Sequence, residues 1–393
     1  MSNKHFNTII IGGGISGISV AKKLTEAGIE NRIFEPNNIG GCIKSHKYND
    51  FWFEMGAHTI YNSYKNTIDY IYQNSLDKNI ITRKKLPFLF VQPDYKIQSI
   101  YKNINFLSFI FNFLKNKNTT KDDKTVSEYA IKLFGKKNYY KTLKYCFDAV
   151  LSQNSENFPM EFLFKKYSRN KNLTRSFTLK NGLSELFKNH NQKIIKESVI
   201  KVTKQKKWLI TTNKTTYSCD NICFATPWDV TELLLEDILP NIAKHKYRPV
   251  MSNIISIGIV ISKKKLQHIK KIAGLIGKET FFYSAVSRDV IDNSQYRAIV
   301  FHCCNNYSKN ELINNITKLL NIQHKNILHI HIKNNALPCY HRYHSVFIND
   351  LEKELTSQSN LYITGNFFDR IAIENCIKRA NDQASKIISN KIY

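Results

Sequence analysis

An α/β fold built on a Rossmann-like nucleotide-binding sheet is what this sequence predicts, and three observations carry it. A β-branched run, Asn7 to Ile11, opens the chain; the glycines Gly12, Gly14 and Gly17 follow at once; and an acid, Glu35, stands at the tip of the next apolar run. Gly12 permits the tight turn out of the strand, Gly14 lets backbone approach a pyrophosphate, and Gly17 lets the following helix lie close on the sheet. From Ile15 to Ala27 apolar residues recur at helical spacing, and Gly28 ends the run. Unpaired amides at the start of that helix, at Ile15 and Ser16, attract phosphate together with the helix dipole. Asn31 to Phe34 reads as the second strand. Glu35, 18 residues past Gly17, can accept both hydroxyls of a ribose while repelling a 2′-phosphate. The expected ligand is a dinucleotide, FAD rather than NADP.

A chain of 393 residues exceeds one ordinary core, so two domains are expected. Its 42% hydrophobic and 12% aromatic content suffices for globular packing and argues against disorder. Basic residues outnumber acids 58 to 31, a formal charge of +27, which favours anionic partners such as carboxylated small molecules or a membrane surface. The lysines are scattered and form no basic stripe with interleaved aromatics, so nucleic acid is not an expected partner. Eight cysteines show neither a Cys-x-x-Cys pair nor zinc spacing; no metal is expected, and the pattern reads as free thiols in a reducing, cytoplasmic setting. The first strand starts at residue 7, which leaves no room for a signal or transit peptide, and no apolar run approaches the ~18 to 20 residues of a membrane span. Ile104 to Leu114, followed by Lys115, has two readings: a core helix, which is the expectation, or a helix peripheral on the inner membrane face. Oligomeric state stays open.

Further along, Ile39 to Ser45 carries the adjacent glycines Gly40 and Gly41, a second place where backbone can lie against a cofactor, and the turn at Gly56 and Ala57 makes a third. Tyr48 to Phe53 is extended, and Ile80 to about Ile100 is strand-like with Pro87 and Pro93 as breakers. Helical periodicity runs from Val126 to Leu163, with Phe134-Gly135 as a helix end. Thr178 to Leu183 reads as a turn into another helix. Ser198–Val202, Trp208–Thr212, Asn221–Phe224, Ile254–Ile261 and Arg297–His302 read as strands, and Leu312–Leu320 as an amphipathic helix. Leu361 to Asn366 is a buried strand running into glycine, and a helix follows from about Ile373 to Ile388.

This arrangement resembles the flavin amine oxidase superfamily, and its protoporphyrinogen oxidase branch more than its monoamine oxidases. Gly40 to Ser45 is similar to that family's Gly-Gly-x-x-Arg-Ser/Thr segment, with Lys44 in the arginine position, and Phe53-Glu54-Met55-Gly56 to its Phe-Glu-x-Gly. Ala336 to Tyr340, with His344 after it, is similar to its Ala-Ile-Pro-x-Tyr near a Gly-His, although Tyr343 stands where glycine is usual. Ala380 replaces a small-residue pair that normally approaches the flavin, and typical members are several dozen residues longer. The resemblance implies an FAD domain from residues 1–85, 178–235 and 345–393, with a discontinuous α+β substrate domain from 86–177 and 236–344. It also implies a backbone contact from Val199 to the adenine and a strand end at Ala225 beside the cofactor. Gly365, Asn366 and Asp369 would meet the pyrophosphate and ribityl chain, and the Ile377 amide would face flavin O2.

The resemblance further implies that hydride leaves a substrate carbon for flavin N5, in a protoporphyrinogen oxidase-like dehydrogenation with oxygen or quinone as acceptor. Three alternatives stay open: an amine or small-metabolite oxidase, an enzyme of the UDP-galactopyranose mutase type, and a flavoprotein without catalysis. His58, just past the Gly56 turn, is a candidate to approach the flavin. Arg288 or Arg342 could clamp a substrate carboxylate through the guanidinium fork.

Overall fold

The computed structural model describes residues 4–188 and 193–392. Strand β1 (Lys4–Ile11) is buried throughout its second half because it is the middle of a parallel sheet, which explains its run of isoleucines. It turns through the glycines into α1 (Ile15–Glu26) and returns as β2 (Asn31–Phe34). Strands β3 (Ser45–Tyr48) and β4 (Phe51–Glu54) form a hairpin. Then come β5 (Ile60–Tyr61), α2 (Lys65–Gln73), β6 (Ile80–Thr82), β7 (Phe88–Val91), β8 (Ile97–Ser99) and α3 (Phe106–Asn116). After helices over Val126–Phe134 and Lys144–Leu151, β9 (Ser176–Leu179) leads to β10 (Ile194–Ile195), β11 (Val199–Lys204), β12 (Trp208–Thr212) and β13 (Thr216–Phe224). A second set, β14 (Val250–Ser262), β15 (Gly274–Gly277), β16 (Phe282–Ser287), β17 (Tyr296–Cys303) and β18 (Ile327–Cys339), precedes β19 (Leu361–Ile363) and a C-terminal helix, Ile373–Ile392.

Among the described residues the first large sheet runs β10-β2-β1-β13-β12-β11, with β19 also beside β13. Its register decides where a ligand can sit. Ile11 lies opposite both Phe34 and Phe224, so the next residues of all three strands, Gly12, Glu35 and Ala225, come out side by side at one edge. That edge is the carboxyl end of the parallel strands, where such sheets bind ligands. α1 and the C-terminal helix cover one face together, joined by Lys23, whose ammonium donates to Ser385 Oγ (2.6 Å) and the Asn381 carbonyl (3.1 Å). The core there includes Ile10, Ile18, Leu24, Ile33, Ile377 and Ala384. Helix α2 lacks a cap of its own. Glu374 supplies it from the C-terminal helix, accepting from the Asn66 and Thr67 amides at 3.0 and 2.9 Å.

The second large sheet runs β18-β14-β17-β16-β15-β7-β8 and is antiparallel except between β15 and β7. Strand β18, thirteen residues long, and the β15–β16 pair have no counterpart among the strands expected from the sequence. The turn at Thr178–Leu183 leads into a 3-10 helix, Leu183–Phe187, rather than a full helix. The expectation of a core helix over Ile104–Leu114 is corrected: no residue of α3 is buried, and Leu107, Phe111 and Leu114 are 84%, 68% and 62% exposed. The cause is that α3 packs on one side only, where Phe109 stacks on Phe134 with centroids 4.7 Å apart.

The second sheet contains a fully enclosed ion pair. All five guanidinium N–H groups of Arg297 are used: two bonds reach Asp289 (2.9 and 2.6 Å), and the others reach the carbonyls of Leu266, Ile269 and Lys270. Both side chains are buried, so removing one partner strands a charge in an apolar setting. Arg297→Met is expected to cost about 3–5 kcal/mol in urea unfolding, and the double variant with Asp289→Asn is expected to recover part of that loss.

Candidate cofactor and active site

The glycine turn is shaped by close approach. A Cβ on Gly17 would sit 2.0 Å from the Gly12 carbonyl oxygen, and one on Gly12, which has φ +108°, would sit 2.6 Å from that of Ala225. These two positions admit only glycine, so the first turn of α1 is held directly over the strand ends. Around Gly14, by contrast, there is open space. Helix α1 has no side-chain cap and no acid in its first turn, so its amino-terminal dipole faces a cavity without a compensating charge. Glu35 is held at the lip of that cavity: its carboxylate accepts from the amides of Gly13 and Asn37, both at 2.9 Å. Gly40 and Gly41, both at positive φ, close the other side, and the Gly40 amide donates to the Gly13 carbonyl at 2.9 Å. The donor set and the bare backbone suit a dinucleotide pyrophosphate and ribose.

The cavity, about 880 Å³, continues from this cradle to the face of the second sheet. A buried polar chain stands where the two regions meet. His58 Nε2 lies 2.8 Å from His302 Nε2, His302 Nδ1 lies 3.0 Å from Ser256 Oγ, and Asn335 Nδ2 donates to Ser256 Oγ at 2.8 Å and to the Met55 carbonyl at 2.9 Å. Burial holds His58 well below the ordinary imidazole range and His302 at about 4, so both rings are neutral at pH 7 and one donates to the other. Asn335 Oδ1 is buried without a partner. Exposed Lys84, which pairs with Asp292, Lys85 and Arg175 line the mouth of the cavity and the half-buried Arg83 its wall, whereas its only aromatic lining residues among those described are Tyr61, Phe88 and His58 with His302. Behind His58 lies Glu54, whose carboxylate accepts from the Leu183 amide (2.7 Å) and Ser45 Oγ (2.8 Å); burial pushes it up to about 7 despite both bonds.

The residues anticipated from the sequence fall into two groups. Gly12, Gly14, Ile15, Ser16, Glu35, Gly40, Gly41, Gly56, Ala57, His58, Ala225, Gly365 and Asn366 all line this one cavity. Gly17 lies beneath it, against Gly12. Outside the lining are Lys44, near His46; Val199, opposite Thr212 at the start of β11; Asp369, bonded to Asn375; and Ile377, buried in the helix core, while Ile373 and Cys376 of the same helix do line the cavity. Arg288 packs on the Trp52 ring (4.1 Å) and donates to the Ile291 carbonyl, behind the cavity wall. Arg342 is on the surface, paired with Glu128 at 3.2 Å, because the turn before the helix His344–Ser357 points it away. His344 is a buttress: Nε2 binds the Phe367 carbonyl at 2.7 Å and the ring stacks on Tyr340, whose hydroxyl donates to the Asn366 carbonyl at 2.7 Å. The pair thus fixes the loop that presents Gly365 and Asn366. Sequence reasoning missed His302, Ser256, Asn335 and the basic mouth. Only the run Arg83-Lys84-Lys85 before Pro87 carried a local signal.

Comparisons with known proteins agree with this geometry at the level of fold. Residues 10–73 match the family described as NAD(P)-binding Rossmann-like domain. A 4,4'-diaponeurosporene oxygenase of Staphylococcus aureus (strain MRSA252) is 33% identical over 91 residues, covering 21% of this chain and 17% of that protein, so the match spans about a sixth of the relative's length. A structure from Exiguobacterium sp. 255-15 assigned as a protoporphyrinogen oxidase superposes with TM-score 0.77 at 14% identity, covering 99% of this chain and 100% of that one. Cyclohexylamine oxidase from Brevibacterium oxydans IH-35A superposes with TM-score 0.69 at 12% identity, covering 99% and 100%. The chain has the fold those structures share, a Rossmann-like domain with a multi-stranded second domain, as the motif resemblance implied.

The buried histidines make stability depend on pH. In the unfolded chain an imidazole takes its proton near 6.5, whereas folded His302 resists until about 4. Its stabilising contribution is therefore complete above 6.5 and is lost as pH falls toward 4. Glu54 acts oppositely: the folded carboxyl keeps its proton up to about 7, so its contribution falls as pH rises from 4.5 to 7. Between pH 6.5 and 4, His302→Gln is expected to lose about 3 kcal/mol less than the wild type, measured as the difference between urea unfolding curves at the two pH values.

Proposed function

We propose that this protein is an FAD-dependent oxidoreductase that dehydrogenates a carboxylated substrate of the porphyrinogen kind, with oxygen or quinone as final acceptor. The single observation that carries the reading is one continuous cavity lined both by a glycine cradle that suits a dinucleotide and by the cationic side chains of Arg83, Lys84, Lys85 and Arg175. When bound, FAD supplies the hydride acceptor. The work of the chain's own residues is electrostatic and orienting. Backbone at Gly14, Ile15 and Ser16 receives the pyrophosphate and Glu35 the ribose. Arg83, Lys84, Lys85 and Arg175 draw substrate carboxylates to the mouth. His58, neutral and backed by His302, Ser256 and Asn335, accepts the proton that leaves the substrate heteroatom. An amine oxidase is less well supported, since the substrate end has a basic mouth rather than an aromatic slot. The domain limits that fit this reading are 1–85, 178–235 and 345–393 for the cofactor, with 86–177 and 236–344 for the substrate.

Exposed apolar residues of α3 favour a second contact, with an anionic bilayer. Phe106, Leu107, Ile110, Phe111 and Leu114 are exposed, and Lys102, Lys115 and Lys117 stand exposed at the ends of the helix. No helix among the described residues is long and apolar enough to cross a membrane.

Anaerobic addition of protoporphyrinogen or coproporphyrinogen to the FAD-loaded protein is expected to bleach the flavin absorbance; no bleaching by either would overturn the assignment, and peroxide release from an amine panel would replace it. Glu35→Gln should weaken FAD binding about tenfold or more in a fluorescence titration. His58→Gln should stay yellow yet lower kcat/KM by about 10²–10⁴-fold, while Arg175→Gln should act mainly on KM. Leu107→Asp with Phe111→Asp should abolish co-sedimentation with phosphatidylserine vesicles and spare FAD binding.

A further inference from the structure

Away from the cavity lining, the β3–β4 hairpin packs across β18, the edge strand of the second sheet, and three histidines meet there. His46 comes from β3. His329 and His331 are alternate residues of β18 and therefore share a face. Nε2 of His46 lies 2.8 Å from Nε2 of His329, the rings of His46 and His331 stack with centroids 3.6 Å apart, and one ring nitrogen from each of the three lies within 4.8 Å of the others. All three are half-buried, so a hydrated ion can reach them. Aromatic neighbours orient the rings: Phe53 lies against His46 at 5.4 Å and Tyr48 against His329 at 5.3 Å. His331 has no hydrogen-bond partner among the described residues. The chemistry of this set is specific. Imidazole nitrogens suit late first-row metals, and without a carboxylate in the cluster calcium and magnesium are disfavoured.

We propose that His46, His329 and His331 bind one late first-row divalent cation, Zn²⁺ first, through three nitrogens with a fourth position left to water. The site would join two parts of the cofactor machinery. Lys333, on the same face of β18, donates to the Gly41 carbonyl at 2.7 Å, and Gly41 lines the cofactor cavity five residues before His46. An ion held by β3 and β18 therefore staples the glycine loop to the edge of the second sheet. The ammonium groups of Lys44 and Lys333 stand near the cluster and oppose a dication, which makes the ion exchangeable rather than permanent.

The test uses metal-stripped full-length protein without a polyhistidine tag, titrated with Zn²⁺ alone against a chromophoric chelator. One ion per chain is expected, and Co²⁺ in its place should give the visible absorption of a four-coordinate nitrogen site. His46→Gln, and separately His329→Gln with His331→Gln, should weaken Zn²⁺ binding more than about 100-fold, since even outer partners of metal ligands are worth 10- to 100-fold. The surface variant His341→Gln should leave it unchanged, and Mg²⁺ should not compete. Melting curves in metal-free buffer separate lost ligation from lost folding. Should the hairpin variant misfold, His331→Gln alone, at a half-exposed position without a hydrogen bond to lose, must still weaken binding. No uptake by the wild type, or equal affinity in wild type and His331→Gln, would overturn the site.

Discussion

Close contact between α1 and the ends of three strands is the constraint from which the rest of the molecule follows. Because Gly17 lies on the Gly12 carbonyl and Gly12 on that of Ala225, the first turn of α1 cannot back away from the sheet. The helix amides are thereby aimed along the strand ends into the cavity, with Glu35 and Gly40 fixed on either side by bonds to the same short loop. Any side chain at Gly12 or Gly17 would push the helix off the strand ends and close the groove beside them.

The second large sheet is tied to this cradle by polar groups rather than by packing alone. Asn335 on β18 bonds the Met55 carbonyl, His302 on β17 meets His58, and Lys333 holds Gly41. Each bond links a strand of the second sheet to the stretch between Gly40 and His58, whose regular structure is the short β3–β4 hairpin. Buried polar chains of this kind are costly when incomplete. Together they fix the Gly40–His58 segment against the second sheet, and the two neutral imidazoles complete the chain without burying a net charge.

The same physics explains the secondary supports. Tyr340 and His344 hold the Gly365–Asn366 loop through its carbonyls, and Glu374 caps α2 from another helix. Helix α3 is the exception, since most of its apolar residues face outward, with Phe109 stacked on Phe134 and Phe106 on the exposed Tyr101. Composition alone could not separate an apolar helix that is covered from one that is not. Burial depends on which neighbours arrive, and here the helix Val126–Phe134 and the turn after it cover one side of α3 only.

The amino-terminal strand, turn and helix, and the place of Glu35 at the next strand's tip, were legible because their interactions are local: a strand is read from β-branched runs, a tight turn from glycine, a helix from its apolar spacing. The glycine pair Gly40-Gly41 and the single Gly365 after a buried strand were legible for the same reason. In β18 a signal existed, since Ile330 and Ile332 alternate with His329, His331 and Lys333, yet its meaning did not, because a face acquires chemistry only when another strand lies against it. His58 with His302, Arg83 with Arg175, and His46 with His329 are separated by 244, 92 and 283 residues respectively. The sequence by itself determined the strand, glycine turn, helix and acid of the amino-terminal nucleotide-binding-type unit. Tertiary structure decided which imidazoles pair, which arginines reach the cavity and which helix stays uncovered, because each of those outcomes depends on sheet register and hairpin placement, which no stretch of sequence encodes alone.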